Sequence, residues 1–87
     1  MVTKMSEFDK MLEKVRDRRE QGRAVYGDGI YQEPYEFFYW MLQNKLNRFR
    51  ILSAKPTYVK ELKDTVLDLT VYAACLMEKV ENENRSV

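Results

Sequence analysis

Hydrophobic positions along this 87-residue chain recur at steps of three and four in three separate stretches, the period of a helix with one buried face. No stretch alternates in the way a strand requires. In the first, Met5, Phe8, Met11, Leu12 and Val15 share one side, and Arg19 continues that line, so the face turns from apolar to cationic near its end. Ser6 followed by Asp9 reads as the N-cap, the hydroxyl accepting a free backbone N–H. Gly22 weakens the helix, and Tyr26-Gly-Asp-Gly29 stops it.

Pro34 suits the first turn of a second helix, where its missing N–H is no loss. Tyr35, Phe38, Met41, Leu42, Leu46, Phe49 and Leu52 form its broad inward face, with Lys45 inside that face. Ser53-Ala-Lys-Pro56 ends it, and Thr57 would cap a third helix from about Tyr58 to about Glu81. There Leu62, Val66, Leu69, Ala73, Leu76 and Val80 make the expected core stripe, and Glu61, Asp64, Asp68 and Tyr72 a second stripe beside it. The prediction is an all-α fold, a three-helix antiparallel hairpin or bundle within one domain (residues 1–81), followed by a frayed polar tail at 82–87. A chain this short buries only about 60–65% of its unfolded surface, so completion by oligomerisation, as a homodimer or tetramer, is expected.

Composition narrows the function classes. Fifteen basic against fourteen acidic residues leave a formal charge of +1, no footprint for wholesale nucleic-acid binding. A local patch through Arg16, Arg18, Arg19 and Arg23 stays the least favoured option. The single cysteine, Cys75, lies in an apolar helical stretch and reads as a packed thiol. Apolar runs are short and broken by charge, so no membrane partner and a cytoplasmic setting are expected. The chain has no histidine, which excludes histidine metal sites and Ser-His-Asp or Cys-His relays. A Walker-type glycine loop is also missing.

Two constellations remain. Glu61, Asp64 and Asp68 follow one another by single helical turns and can point toward one volume. Carboxylates gathered at a core edge repel one another unless a cation meets them. A hard divalent ion such as Mg²⁺ would serve, since it accepts a few carboxylates together with substrate phosphates. So would basic side chains. Glu33 and Glu36, one turn apart, are candidates for the other wall of a metal site. On the cationic side, Lys45 and Arg48 are three apart on the second helix, with Arg19 at the end of the first. These suit phosphate, Lys as a point charge and Arg as a bidentate donor. A purely structural Lys45–Asp68 ion pair would follow equally from antiparallel packing. The Tyr26-Gly-Asp28 turn reads first as structure, with Asp28 as a turn cap, and metal binding by Asp28 as the alternative. Tyr31, Tyr35, Tyr39 and Trp40 read first as core or interface, with base stacking as the alternative.

Tyr26-Gly-Asp28, Lys45-Leu-Asn-Arg48 and Leu62-Lys-Asp-Thr-Val-Leu-Asp-Leu-Thr-Val-Tyr-Ala73, in this order, resemble small phage-type domains associated with nucleotide modification. Those domains are similar to the all-α, MazG-like nucleoside triphosphate pyrophosphohydrolases. The third block is the most specific. The resemblance implies a helical oligomer that holds Mg²⁺ at acidic clusters and splits a (deoxy)nucleoside triphosphate into monophosphate and pyrophosphate. It implies Glu61, Asp64 and Asp68 as metal ligands, with Glu33 and Glu36 answering to a Glu-x-x-Glu element and one of them activating water. Lys45, Arg48, Arg19, Asp28 and Tyr72 would face the nucleotide. The competing expectation is a non-catalytic helical interaction protein with an incomplete metal site.

Overall fold

The computed structural model describes residues 5–85, and these form three α-helices and one short 3-10 turn. Helix α1 spans Glu7–Tyr26, the turn Gly29–Gln32, α2 Tyr35–Ser53 and α3 Val59–Arg85. The all-α prediction holds, and no strand occurs among the described residues. None of these helices is long and apolar enough to cross a membrane.

The helix boundaries follow from local chemistry. Ser6 caps α1 by accepting the Asp9 N–H at 3.1 Å. Gly27 ends α1 with φ 72° and ψ −155°, a backbone region open essentially only to glycine. Pro34 is the N-cap of α2, one position outside the helical turn predicted for it. The third helix starts at Val59, with the Leu62 N–H donating to the Tyr58 carbonyl at 2.9 Å. Its far end departs from expectation. Residues 82–85, assigned to a frayed tail, are helical, because Glu83 is held by Lys79 at 2.8 Å and accepts a hydrogen bond from the Tyr35 hydroxyl. Residues 86 and 87 lie outside the described residues.

Helices α2 and α3 form the antiparallel hairpin. Phe37 meets Tyr72 edge-on at 6.4 Å, Lys45 meets Asp68, and Tyr35 reaches Lys79 and Glu83, so rising numbers on α2 pair with falling numbers on α3. The apolar core is thin. Phe38 is fully enclosed and packs edge-on against Phe37 at 5.5 Å, and Cys75 is its other buried apolar member. Thr65 and Lys79 of α3 are buried as well.

The inner line of α3 therefore passes through Thr65, Cys75 and Lys79. The predicted core stripe is displaced from it, and Val66 and Val80 are exposed. Tyr35, Leu46 and Phe49 of the predicted α2 face are exposed as well. On α1 the contact with α3 begins only near Val15 and Arg18, and Met5, Phe8, Met11 and Leu12 stay exposed on the projecting first half. The radius of gyration, 15.1 Å, exceeds the roughly 12 Å of a compact chain of this length.

Candidate functional site

Asp64 and Asp68 leave α3 on adjacent turns and meet cations from both other helices. Arg18 of α1 lies 3.5 Å from Asp64 and 3.6 Å from Asp68, while Lys45 of α2 lies 3.4 Å from the second oxygen of Asp68. The two Asp68 oxygens are thus divided between an arginine and a lysine. Side-chain exposure is 31% for Asp68 and 21% for Lys45, against 54% for Asp64. Arg18 sits where it does because α1 crosses α3 here. Lys45 sits inside the apolar face of α2 and finds a carboxylate there, as a cation in such a position must.

Beside these pairs is a cavity of about 380 Å³, bounded by Arg18, Arg19 and Gly22 of α1, by Gly27 and Ile30, and by Asp68, Val71, Tyr72 and Cys75 of α3. The lack of a side chain at Gly22 leaves room on the α1 wall, where an added Cβ would meet nothing within 4 Å. Burial pushes the Cys75 thiol above its usual range, keeping it protonated at neutral pH.

A second network fixes the rim. Arg19 donates to Asp28 at 3.1 Å and to the Tyr31 hydroxyl at 3.0 Å, and its guanidinium stacks 5.2 Å above the Tyr31 ring. Arg23 reaches Asp28 at 3.0 Å. The Tyr31 hydroxyl donates onward to Glu78 of α3, and Lys79 donates to the Tyr31 carbonyl at 3.3 Å. Arg19, Asp28, Tyr31 and Glu78 also line a smaller depression of about 290 Å³. Burial, then the bond to Glu78, raises the Tyr31 hydroxyl above its normal range. Burial by itself would lower Arg19, but its bonds to Tyr31 and Asp28 outweigh this and hold it more firmly charged than usual.

The structure gathers some predicted residues and separates others. Arg19, Asp68 and Tyr72 line one cavity, Lys45 pairs with Asp68 and Asp64 with Arg18, and Asp28 is tied to Arg19 and Arg23. Glu61 is one turn from Asp64, its backbone carbonyl accepting the Thr65 hydroxyl at 2.8 Å. Arg48 is exposed on α2. Glu33 and Glu36 are exposed and lie beside the C-terminal half of α3, because neighbouring Tyr35 reaches Lys79 and Glu83. Fifteen residues separate Lys79 from Asp64, roughly 22 Å of helix, so within one protomer Glu33 and Glu36 do not form the second wall expected of them. The antiparallel pairing causes this: it sets the start of α2 against the end of α3.

Arg18 is the central residue that the sequence did not single out for this site. The signal was its place one position before Arg19, where the apolar line of α1 gives way to charge. Lys79 was missed too, although it interrupts an apolar stretch as Lys45 does.

Among the described residues no group of three or more carboxylate or thiol side chains is placed to hold a metal ion. One oxygen of Asp64 and both oxygens of Asp68 face Arg18 or Lys45. In comparisons with known proteins, no family model, curated protein or solved structure matches the chain.

Proposed function

We propose that this chain is a Mg²⁺-dependent (deoxy)nucleoside triphosphate pyrophosphohydrolase-like protein whose phosphate-binding wall is Arg18 and Arg19. The observation that carries the reading is the cavity where these arginines meet Asp68 and Tyr72. Arg18 is a planar fork held to two carboxylates, and it would exchange them for the oxygens of a phosphate. Arg19 is preset by Asp28 and Tyr31 and needs no reordering to present charge. Lys45 stands behind Asp68 as a point charge, and Phe37 holds the Tyr72 ring in place.

Magnesium bound with the nucleotide would neutralise phosphate charge and polarise the phosphoryl group. The residues of the chain supply position and proton transfer. Asp64, the more exposed of the two carboxylates, would accept a proton from an attacking water. Arg18 and Arg19 would stabilise charge building on the departing pyrophosphate. Glu33 and Glu36 have no part in this version.

The second reading, a non-catalytic helical interaction protein, is favoured by one specific observation: both oxygens of Asp68 are already met by cations. Nucleotide affinity with and without Mg²⁺ tests the phosphate wall itself. A triphosphate that binds at least about tenfold more tightly than its nucleoside, with the difference lost in Arg18→Ala, supports the site. Equal affinity, or none for either, leaves only the interaction protein.

A further inference from the structure

Charge is balanced over the whole chain but not along it. Between Phe37 and Lys60 stand five of the fifteen basic residues, Lys45, Arg48, Arg50, Lys55 and Lys60, and none of the fourteen acidic ones. The macrodipole of α2 favours a cation or two in its last turn, but it does not explain so long a stretch without a carboxylate. Lys45 is engaged by Asp68. Arg48, Arg50, Lys55 and Lys60 are exposed and pair with no carboxylate among the described residues. The same segment carries exposed aromatic rings. Tyr39 and Trp40 are 60% and 63% exposed, and their rings meet edge-on at 5.2 Å. Trp40, Gln43, Asn47 and Arg50 recur at steps of three and four, and with Tyr39 they occupy roughly 100° of the circumference of α2. All five are exposed. This arc is opposite Lys45, whose amine meets α3. Glu36 closes it at the N-terminal end.

We propose that the outer face of α2 binds single-stranded nucleic acid. Each side chain suits a different part of such a strand. The rings of Tyr39 and Trp40 offer π-faces on which bases stack. The carboxamides of Gln43 and Asn47 both donate and accept, and so match base edges. Arg50, and Lys55 in the loop that follows, meet phosphate. Trp40 and Arg50 are about 15 Å apart along the helix, room for about four stacked nucleotides. A duplex would hide its base faces from these rings. The carboxamides also decide against a lipid surface, where they would lose their water and gain no partner.

This face shares no residue with the cavity between α1 and α3, so the inference stands apart from the pyrophosphohydrolase reading. Trp40 is the single tryptophan of the chain, and its fluorescence reports on the face itself. Titrating the full chain with a thymidine oligonucleotide of about twenty residues should quench that fluorescence to saturation. Raising salt from about 50 to about 200 mM should weaken binding roughly tenfold. Trp40→Ala, followed through a fluorescent label on the oligonucleotide, should bind roughly tenfold more weakly. Arg50→Ala should lower the slope of log affinity against log salt by roughly 0.7. Both variants should keep their helical content by circular dichroism, because both side chains are exposed. An oligonucleotide that leaves Trp40 fluorescence unchanged would overturn the proposal. So would Trp40→Ala binding as tightly as the wild type, equal affinity for the strand paired with its complement, or tighter binding to phosphatidylserine vesicles than to the strand.

Discussion

Lys45 and Asp68 meet across the α2–α3 interface at 3.4 Å, and the same carboxylate is shared with Arg18 of α1. One side chain of the last helix thereby meets both of the others. The pairs are partly exposed, so each contributes modestly, about 0.5–1 kcal/mol. Asp68→Asn should lower the thermal midpoint by several degrees, since about 1 kcal/mol moves a domain of this size by roughly 4–8 °C. A double-mutant cycle with Lys45→Met should return a coupling of the same order. A coupling of zero would remove the pair from the forces that set helix register.

The turn after α1 makes its own demand. Gly27 has φ 72°, and an added Cβ there meets open space, so the cost of a side chain is conformational. Gly27→Ala should destabilise by about 1–3 kcal/mol, read as a lower urea midpoint at unchanged slope. Gly22→Ala also meets no neighbour and lies inside α1, so it should stabilise by about 0.5–1 kcal/mol. Equal effects at the two glycines would contradict this backbone account.

Those glycines illustrate what could be read in advance. The stop at Tyr26-Gly-Asp-Gly29, the Ser6 cap and the start of α2 at Pro34 depend on local chemistry, and each was legible. The Lys45–Asp68 contact was legible too, because an antiparallel hairpin and a cation inside an apolar face leave few partners. The inner line of α3 was not. Periodicity finds the most hydrophobic stripe, but α1 approaches α3 on the side of Asp64 and Asp68, and the buried positions of α3 are Thr65, Cys75 and Lys79. The distance of Glu33 and Glu36 from Asp64 within one protomer has a related reason: short spacing on one helix says nothing of which end of the next helix lies beside it.

Burial of Cys75 and its raised pKa predict a slow thiol. At pH 8 a disulfide reagent should modify it far more slowly in the folded protein than in urea. Rapid modification under native conditions would mean that the α1–α3 cavity opens readily.

Tyr31 ties the turn to α3, and its hydroxyl is raised by burial and by its bond to Glu78. A group raised on folding contributes stability that is complete below its unfolded value, about 10, and lost as pH climbs through the folded value. Thermal midpoints should therefore fall more steeply above pH 10 in the wild type than in Tyr31→Phe. At the acidic end Glu83, lowered first by the bond from Lys79 and then by Tyr35, acts with the opposite sign. Its contribution is present above about pH 4.5 and disappears as pH drops through the folded value. Parallel alkaline curves for wild type and Tyr31→Phe would remove Tyr31 from the account.

Catalysis at the arginine-walled cavity is tested most directly by pyrophosphate release from a panel of deoxynucleoside triphosphates with Mg²⁺. The account predicts monophosphate and pyrophosphate in equal amounts from the wild type. It also predicts a loss of about 100-fold or more in Asp64→Asn and Arg18→Ala, with the helical content of both variants retained. Turnover of no triphosphate by the wild type, or turnover unchanged in Asp64→Asn, would contradict it.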